Sequence, residues 1–403
     1  MQPVDYQFPD GGYGWVCVLC IFLINVHTWG INSAYGVILS FYLSHDEFPG
    51  TPALIYAFVS GLSISCALLV APVVTYFTPM LSSRFFVIIG VLLETASMIG
   101  ASFTTQSWQL FLSQGICFGF GMGSLFISTV GIPNQWFKKR RGIANGIVAA
   151  GSGTGGLIYS LATNAIIQHH GFRWAFRILG IVSFVVNLIF GLLLRERQPP
   201  SRKRRQIDCS LLRQPPFLLF IAWGIFSLLG YIALLFSLAS YAQAIGLDLS
   251  TGSLASALLN LGQALGRPLV GALSDRFGRI EVAALASAIC GLLCMVFWPF
   301  ATGQASLFAF SILAGLEAGT IWASAAAIAA ELLELPAVAG ALSLFWVSLV
   351  APGTVAEVIA LQLRDPGRVQ GPYFPVQMFT GAMYLAAAGS LGILTLGFRK
   401  AAD

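Results

Sequence analysis

Five ionisable residues lie inside long apolar stretches of the sequence, where a charge is costly and usually functional. The only arginine among them can pair with a carboxylate through two parallel hydrogen bonds. Carboxyl groups in apolar surroundings can carry a proton near neutral pH, and an imidazole titrates in that range. We therefore predict Arg267 as an anion-binding group, with Glu317, Glu357 and His27 as further ligand-binding candidates. The candidates for carrying protons are Glu94, Glu317 and Glu357.

Each of these residues also has a structural interpretation that the sequence leaves open. Arg267 can lie low enough in its helix to contact Asp275 instead of a ligand. The two glutamates of the second half can serve only to neutralise Arg267. A glutamate such as Glu94 is more often a packing or interdomain contact. A single histidine such as His27 is commonly a hydrogen-bonded core residue.

A second stretch that contains potentially functional residues is Gly-Ala-Leu-Ser-Asp-Arg-Phe-Gly-Arg (271–279). Its second glycine, Gly278, can adopt the positive φ of a tight turn. Asp275 can accept hydrogen bonds from neighbouring arginines or from the N-terminus of another helix. We predict a latch that holds one conformation shut; the alternative is a basic loop that only fixes the topology. The predicted latch residues are Gly271, Asp275, Arg276, Gly278 and Arg279.

The elements that carry these residues are predicted to be membrane helices. The chain has 403 residues, of which 57% are hydrophobic and 9% are charged, whereas a soluble domain has about 25% charged residues. This composition excludes an ordinary soluble enzyme, a disordered protein and a secreted disulfide scaffold. Six of the seven cysteines lie in apolar runs, so neither a disulfide framework nor a metal site is predicted. Residues 1–13 are polar and lack lysine and arginine, so no cleavable signal peptide is expected.

Runs of about 20 apolar residues are typical of membrane helices, and we count twelve. Strands of a membrane barrel would instead alternate in blocks of about ten residues. The predicted fold class is therefore all-α integral membrane, with twelve transmembrane helices in two six-helix bundles. The predicted spans are 14–40, 53–77, 85–105, 108–132, 143–167, 173–194, 216–240, 252–274, 280–302, 305–330, 338–360 and 378–398.

The longest polar stretch divides the spans into two sets of six. Residues 71–90 resemble residues 267–286, with Pro72 opposite Pro268. Such repeats are expected when two bundles move about a central site. The first-half stretch lacks the aspartate of the predicted latch. The predicted organisation is an N-terminal tail 1–13, a bundle 14–194, a basic linker 195–215, a bundle 216–398 and a tail 399–403.

Lysine and arginine are concentrated in the segments on one side of the predicted membrane. Because loops rich in these residues stay in the cytoplasm, this distribution predicts that both termini are cytoplasmic. The basic segments on that side include Arg84, residues 138–141, residues 195–213, Arg276, Arg279, Arg399 and Lys400.

Several of these stretches resemble a known family. The latch run resembles the G-x-x-x-D-R-x-G-R signature of the major facilitator superfamily. The stretches DGGYGW (10–15), QWFKKRRGIANG (135–146) and GFRWAF (171–176) resemble helix starts of the monocarboxylate porter family. Residues 25–42 are most similar to its fungal branch. The residues that carry this resemblance are Asp10, Gly11, Gly12, Gly14, Trp15, Lys138, Arg140, Arg141, Asn145, Gly146 and Arg173.

The resemblance implies the major facilitator fold and a proton-coupled secondary transporter that works by alternating access. Arg267, followed by Pro268, matches the substrate arginine of the family. Two family charges are missing, because the lysine of the first helix falls at Ser33 and an acidic residue of the eighth falls at Gln263. We therefore expect a small organic acid or a larger acidic or amphipathic metabolite, exported as a product of a biosynthetic gene cluster. The alternatives are uptake of a monocarboxylate or a riboflavin-like nutrient, and a receptor that binds without transport.

The sequence contains no motif that indicates another class of function. There is no H-E-x-x-H or G-x-S-x-G, so an enzyme is not predicted, and no G-x-x-x-x-G-K-[ST] loop for ATP-driven transport. No cofactor, metal or nucleic acid is expected. The predicted partners are an anionic small molecule, protons and the lipid bilayer, and the predicted location is the plasma membrane.

Overall fold

The computed structural model describes residues 9–45, 48, 50–197, 207–365, 367 and 371–402. Every regular element within these ranges is a helix, which confirms the prediction of an all-α chain for that part. Helices are the expected form because a membrane core offers no water to backbone groups, so each span must satisfy its own. Outside these ranges lie residues 1–8 of the predicted N-terminal tail, 46, 47 and 49 of the first bundle, 198–206 of the basic linker, 366 and 368–370 of the second bundle, and 403 of the C-terminal tail.

The N-terminal half forms six helical segments, several of which are interrupted. They are α1 (Tyr13–His27, Trp29–Ser33 and Tyr35–His45), α2 (Ala53–Leu69 and Ala71–Leu81), α3 (Ser83–Ala101), α4 (Ser107–Leu110, Phe111–Cys117, Phe118–Thr129 and Ile132–Trp136), α5 (Arg141–His170) and α6 (Phe172–Leu193). Gly171 separates α5 from α6 with a φ of 81°, a value that residues with a side chain rarely adopt.

The C-terminal half also forms six segments. They are α7 (Pro215–Ala244), α8 (Leu249–Phe277), α9 (Arg279–Leu292, Leu293–Phe297 and Trp298–Phe300), α10 (Gln304–Ala318 and Thr320–Leu332), α11 (Leu335–Ser348 and Val350–Gln362) and α12 (Phe374–Ala402). The α8 helix begins at a cap in which Asp248 Oδ1 accepts a hydrogen bond from the Thr251 N–H at 3.1 Å. It ends at Gly278, whose φ of 103° turns the chain into α9.

Four of these segments are interrupted near their middle. The interruptions fall at Thr28 in α1, Val70 in α2, Gly319 in α10 and Leu349 in α11. Irregular backbone at membrane depth is tolerated only where protein surrounds it or where it lines a cavity. The interruption at Gly319 lies against the side chain of Arg267.

The described helices have the length and composition of membrane spans. Nine are long and apolar enough, and the bent α2 pair makes ten. The α5 and α8 helices have 30 and 29 residues, so they are long enough, but they are richer in glycine and polar residues. Including them would reach the twelve that we predict from the sequence, and twelve stays a prediction. Large apolar side chains such as Leu92, Ile181 and Leu396 are more than half exposed, as surfaces that face lipid require.

The α5 helix contacts two neighbours through two rows of glycines. Gly151 and Gly155 lie against α1, and Gly153 and Gly156 lie against α8. A Cβ atom at Gly153 would lie 2.8 Å from the backbone nitrogen of Ala264, closer than packed atoms allow. These glycines therefore allow close helix packing.

The two halves meet along two seams. The first, called the α5–α8 seam, is the glycine-rich contact just described. In the second, the α2–α11 seam, Ser65 Oγ and Thr354 Oγ1 lie 2.6 Å apart. Both seams extend towards the end of the molecule that holds Asp10 and the α4–α5 and α8–α9 turns, which we call the motif face.

Candidate functional site between the two halves

The Arg267 side chain lies between the halves and is only 1% exposed. It belongs to α8, yet its Nη1 donates to the backbone oxygen of Ala149 at 2.6 Å and to Ser152 Oγ, both on α5. Its Nη2 donates to Gln263 Oε1 and, at 3.4 Å, to the Tyr231 hydroxyl. Its Nε has no hydrogen-bond partner in the described structure. The guanidinium thus links the halves through neutral acceptors alone.

No carboxylate of the described residues lies within 4.0 Å of this guanidinium. Its electrostatic neighbours are the hydroxyls of Tyr231 and Tyr384. The half-buried Glu317 lies near the Cys290 thiol of α9, on the far side of α10. The alternative that Glu317 or Glu357 neutralises Arg267 through an ion pair is therefore not found among the described residues.

The interruption of α10 gives the guanidinium its space. A Cβ atom at Gly319 would lie 2.7 Å from Nη2 and 2.8 Å from Cζ of Arg267. These distances are too short for packed atoms, so any other residue at position 319 would displace the arginine. Gly319 is a positioning residue that the sequence analysis did not identify.

Five aromatic rings, one of which belongs to Tyr231 and contacts Arg267, form what we call the central aromatic cluster. The Trp322 and Trp346 rings are stacked, with centroids 5.7 Å apart and planes 11° apart. Trp29 lies 4.8 Å from Trp322, and Phe126 lies 5.2 Å from Trp346. Tyr231 meets Trp322 edge-on at 6.2 Å, which connects the cluster to the arginine. Its members come from α1, α4, α7, α10 and α11, so both halves contribute.

Glu357 is buried at the α2–α11 seam, with 6% of its surface exposed. It follows Thr354 by three residues and therefore lies near the same face of α11, the face that contacts α2. Its carboxylate is close enough to the Tyr35 hydroxyl of α1 to interact electrostatically, and its Oε2 has no hydrogen-bond partner among the described side chains. Glu357 is thus a buried carboxyl group between the halves.

The two remaining ionisable candidates lie inside the N-terminal half. Glu94 is fully buried, and its Oε2 accepts a hydrogen bond from Asn187 Nδ2 of α6 at 3.0 Å. His27 Nδ1 makes a short hydrogen bond with the Tyr159 hydroxyl of α5. The structure does not bring either residue to Arg267. Their geometry matches the packing and core interpretations that the sequence left open.

The predicted latch residues form the motif-face end of the α5–α8 seam. Asp275 Oδ1 accepts a hydrogen bond from the Gly142 N–H at 2.7 Å, and its Oδ2 accepts one from the Ile143 N–H at 2.9 Å. A carboxylate at a helix N-terminus is favoured by the free N–H groups and by the helix dipole. The aspartate of one half therefore caps a helix of the other half.

The neighbouring latch residues support this contact. Arg279 Nη2 lies 3.5 Å from Asp275 Oδ1 and also donates to the Lys138 backbone oxygen at 3.0 Å. A Cβ atom at Gly271 would lie 2.8 Å from the carbonyl carbon of Gly142, so glycine is required for this approach. Arg276 takes no part in the contact and lies over the Phe277 ring at 5.3 Å.

Two of the family stretches, distant in sequence, join at the motif face. Asp10 Oδ1 accepts hydrogen bonds from the backbone N–H groups of Lys138 (2.7 Å), Lys139 (2.8 Å) and Arg140 (3.4 Å). Trp15 packs on Phe137 at 4.7 Å. The start of α1 thus shapes the loop that leads into α5, a connection that the sequence did not reveal. Among the glycines of the DGGYGW stretch, Gly11 and Gly12 (φ 61°) precede α1. A Cβ atom at Gly14 would lie 2.9 Å from Trp136 Cβ.

Residues of the second stretch reach across to α10. Arg141 Nη1 donates to the Ala330 backbone oxygen at 3.4 Å. Asn145 Nδ2 donates to Asn134 Oδ1 at 2.8 Å, and Asn134 Nδ2 donates to the Ala326 backbone oxygen at 3.0 Å. Gly146 lies against α8, where a Cβ atom would be 3.0 Å from the Cα atom of Pro268. Arg173 is exposed and takes no part in these contacts.

Sequence reasoning missed most of the residues around Arg267. Gln263 was noted only as a missing charge, yet it holds the guanidinium and also accepts a hydrogen bond from the Tyr231 hydroxyl at 3.0 Å. Trp322 and Trp346 looked like ordinary apolar residues of their spans. A usable signal was present, since large aromatic residues recur near the middle of spans from both halves.

A sequence model of the Major Facilitator Superfamily matches residues 17–354. The chain is 32% identical to the probable transporter MCH2 of Saccharomyces cerevisiae, over 96% of this chain and 83% of that protein. It is 33% identical to the uncharacterized transporter ESBP6 of the same yeast, over 96% of this chain and 59% of that protein. It is 26% identical to the MFS transporter asaE of Aspergillus flavus, over 96% of this chain and 87% of that protein.

Proposed function

The chain belongs to the major facilitator superfamily and is a membrane transporter, not an enzyme, and we propose that it is a secondary transporter that moves an organic anion by alternating access. The proposed substrate is a small organic acid or a larger acidic or amphipathic metabolite. The proposed site lies between the halves at Arg267, on the α5–α8 seam.

The observation that carries this proposal is the isolated charge of Arg267. Its guanidinium is 1% exposed and is bonded to neutral oxygens only. An unpaired charge in a low-dielectric interior is strongly destabilising, and an opposite charge relieves that cost. An anionic substrate would supply that charge and would gain a two-point contact with the guanidinium.

The neutral residues near Arg267 favour a substrate other than a short monocarboxylate. Gln263 stands one turn before the arginine, where the porter family has an acidic residue, and it holds Nη2 without neutralising it. Ser33 stands where the family has a lysine, and its hydroxyl donates to the Trp29 backbone oxygen at 2.9 Å. With both charges absent, the contact area of a larger substrate has to supply more of the binding free energy.

Glu357 is the proposed proton carrier. It is buried between the halves and has a carboxylate oxygen with no hydrogen-bond partner among the described side chains. A carboxyl group in such a position binds a proton readily when water is excluded and releases it when the seam opens to water. Glu317 is half-buried and Glu94 is bonded within its own half, so we rank both below Glu357.

We further propose that the motif face is cytoplasmic, that both termini lie there, and that the protein exports its substrate across the plasma membrane. The concentration of lysine and arginine in the loops of that face supports the orientation. We propose export because the missing family charges at Ser33 and Gln263 favour a larger metabolite over a nutrient such as lactate. An impermeant thiol reagent on intact cells, applied to a cysteine introduced at residue 210, tests the orientation. Labelling from outside would contradict it.

Transport is tested in liposomes that contain the purified protein. Labelled organic acids of increasing size, from lactate to naphthoate, are supplied outside, with the unlabelled acid inside to drive exchange. We expect saturable exchange of at least one acid and loss of that exchange in Arg267→Gln. The matched control is Arg173→Gln, which removes an exposed arginine and should leave the rate unchanged. Wild-type exchange by Arg267→Gln would show that recognition does not depend on this charge and would favour a neutral substrate, such as a riboflavin-like nutrient.

A further inference from the structure

We propose that the central aromatic cluster binds a flat, conjugated ring system that forms part of the substrate, with the acidic group of the same molecule at Arg267. This inference rests on the proposed transport function, and it narrows the substrate class from organic acids in general to aromatic acids.

The first support is the position of the rings. Two ring contacts join the halves, Trp29 with Trp322 at 4.8 Å and Phe126 with Trp346 at 5.2 Å. If the halves separate during transport, these contacts have to open, and each ring loses a partner. A flat ligand replaces that partner, because aromatic faces favour offset stacking or edge-on contact with another π-system.

The second support is a set of unpartnered donors within the same group of residues. The Trp29 and Trp346 indole Nε1 atoms are buried and make no hydrogen bond in the described structure, and the same holds for Nε of Arg267. A buried donor without an acceptor is costly, and natural proteins leave few of them. Two such donors in the cluster and one on the arginine that Tyr231 connects to it match a ligand that carries acceptor oxygens on its ring as well as a carboxylate.

The third support is access. Trp322 is only half-buried, whereas Trp346 is 1% exposed. Trp346 also forms one wall of a cavity of about 60 Å³ that extends between α2, α4 and α11 and has the hydroxyls of Ser128 and Ser343 in its lining. Tyr231 connects the cluster to Arg267 on the other side. The cluster therefore lies between a polar cavity and the anion-binding guanidinium.

A short aliphatic acid cannot use this arrangement. It would reach Arg267 but would leave the indole rings without a stacking partner and their N–H groups without an acceptor. A flat acid of two fused rings spans both features. Stacking of this kind is worth about 0.5–1.5 kcal/mol beyond the area buried, which corresponds to a preference of roughly three- to tenfold in affinity.

The test measures equilibrium binding to the purified protein by calorimetry with three matched probes. Naphthoate is flat and anionic, decahydronaphthoate is anionic but saturated, and naphthamide is flat but neutral. We expect naphthoate to bind about three- to tenfold more tightly than decahydronaphthoate. Trp322→Leu should remove that ratio, and Trp322→Phe should retain most of it because the ring is kept. Arg267→Gln should abolish the preference of naphthoate over naphthamide and leave the preference for a flat ring intact.

The control is Trp174→Leu, which removes a tryptophan that is 51% exposed and distant from the cluster. It should leave all three affinities unchanged. Equal binding of naphthoate and decahydronaphthoate by the wild-type protein would overturn the inference, as would an unchanged ratio in Trp322→Leu. Absence of binding by both acids would overturn it as well.

Exchange of the same probes in liposomes separates this inference from the proposed function. Selective binding of naphthoate without any exchange would refute transport of such acids and leave the aromatic site standing. Equal exchange of naphthoate and decahydronaphthoate would support transport and refute the aromatic preference.

Discussion

The two seams between the halves differ most at the motif face. In the α5–α8 seam, the Asp275 carboxylate of one half accepts two N–H groups of the other, at 2.7 and 2.9 Å. In the corresponding region of the α2–α3 turn, two prominent polar contacts stay within one half. The Ser83 N–H donates to Glu196 Oε1 at 2.7 Å, and Arg84 donates to the Leu194 backbone oxygen. A polar cavity of about 60 Å³ lies where α2 and α11 approach each other.

Single residues explain the difference. When the two repeats are aligned on Pro72 and Pro268, Pro79 falls where the other seam has Asp275, so the acceptor is missing. Pro336 is the second residue of α11, as Gly142 is of α5, and proline has no N–H to donate. Ser82 falls at the position of Gly278 and has the same kind of backbone, with φ of 74° and 103°. The turn geometry is kept, while the acceptor and the donor equivalent to Gly142 are lost.

The two seams therefore contribute unequally to closure. The α5–α8 seam combines the latch, a row of glycines and Arg267, so its opening breaks charge-assisted hydrogen bonds. The α2–α11 seam opens at a lower cost in such bonds. We therefore expect substitutions in the first seam to change transport more than equivalent ones in the second.

The largest effect is expected at Arg267, where the charge and its shape can be separated. Arg267→Lys keeps the positive charge but lacks the planar fork that now reaches Ala149, Ser152 and Gln263. We predict that exchange of an anionic substrate falls by about 10- to 100-fold, the loss expected for one or two charge-assisted hydrogen bonds. The measurement is initial exchange rate per folded protein in liposomes. A Lys variant as fast as wild type would mean that only the net charge matters.

The next effect concerns the latch itself. Asp275→Asn removes the charge that caps α5, and the conformational equilibrium should shift towards the open motif face by about 2 kcal/mol, roughly thirtyfold. Distances between spin labels on the motif-face ends of α5 and α8 would report the shift. Asp208→Asn is the control, because this exposed acid caps only a short turn at Ser210. If the Asp275→Asn distances remained those of the wild type, the loop would have a topological role only.

The third prediction installs a latch in the seam that lacks one. Pro79→Asp supplies an acceptor and Pro336→Gly supplies the N–H at the start of α11. Together they should favour the closed motif face by about 1 kcal/mol, roughly fivefold, whereas Pro79→Asp alone should change little. The same spin-label measurement on α2 and α11 detects the change. Equal effects of the single and double variants would contradict the donor–acceptor explanation.

The smallest effects are expected from the two turn residues. Ser82→Gly should stabilise the folded protein by about 0.5–1 kcal/mol, because a serine is disfavoured at positive φ. Gly278→Ala should destabilise it by about 1–2 kcal/mol, since the added Cβ would also lie 2.9 Å from the Glu281 carboxyl carbon. Thermal unfolding in detergent measures both. Shifts of the same sign would show that the two turns are not equivalent.

The sequence predicted the residues of the site better than their contacts. It identified Arg267 and the acceptor Asp275, because an arginine in an apolar span and an aspartate in a known turn are both visible locally. It also offered a helix N-terminus as one partner of Asp275. It could not choose that partner, since Gly142 lies 133 residues away. It left open whether Glu317 or Glu357 neutralises Arg267, because the rotation of each helix about its axis cannot be read from the mere presence of a charge.

What the sequence determined by itself is whatever depends on one segment at a time: the helices, their membrane character, their approximate ends and the positive-φ turn at Gly278. These follow from the length of apolar runs and from backbone sterics, which need no partner. Only the tertiary structure decided which side chains meet. Gly319 leaves room for the guanidinium of Arg267. Asp10 accepts hydrogen bonds from a loop 128 to 130 residues away. Packing fixes such contacts through the rotation and depth of whole helices, and those depend on all neighbours at once.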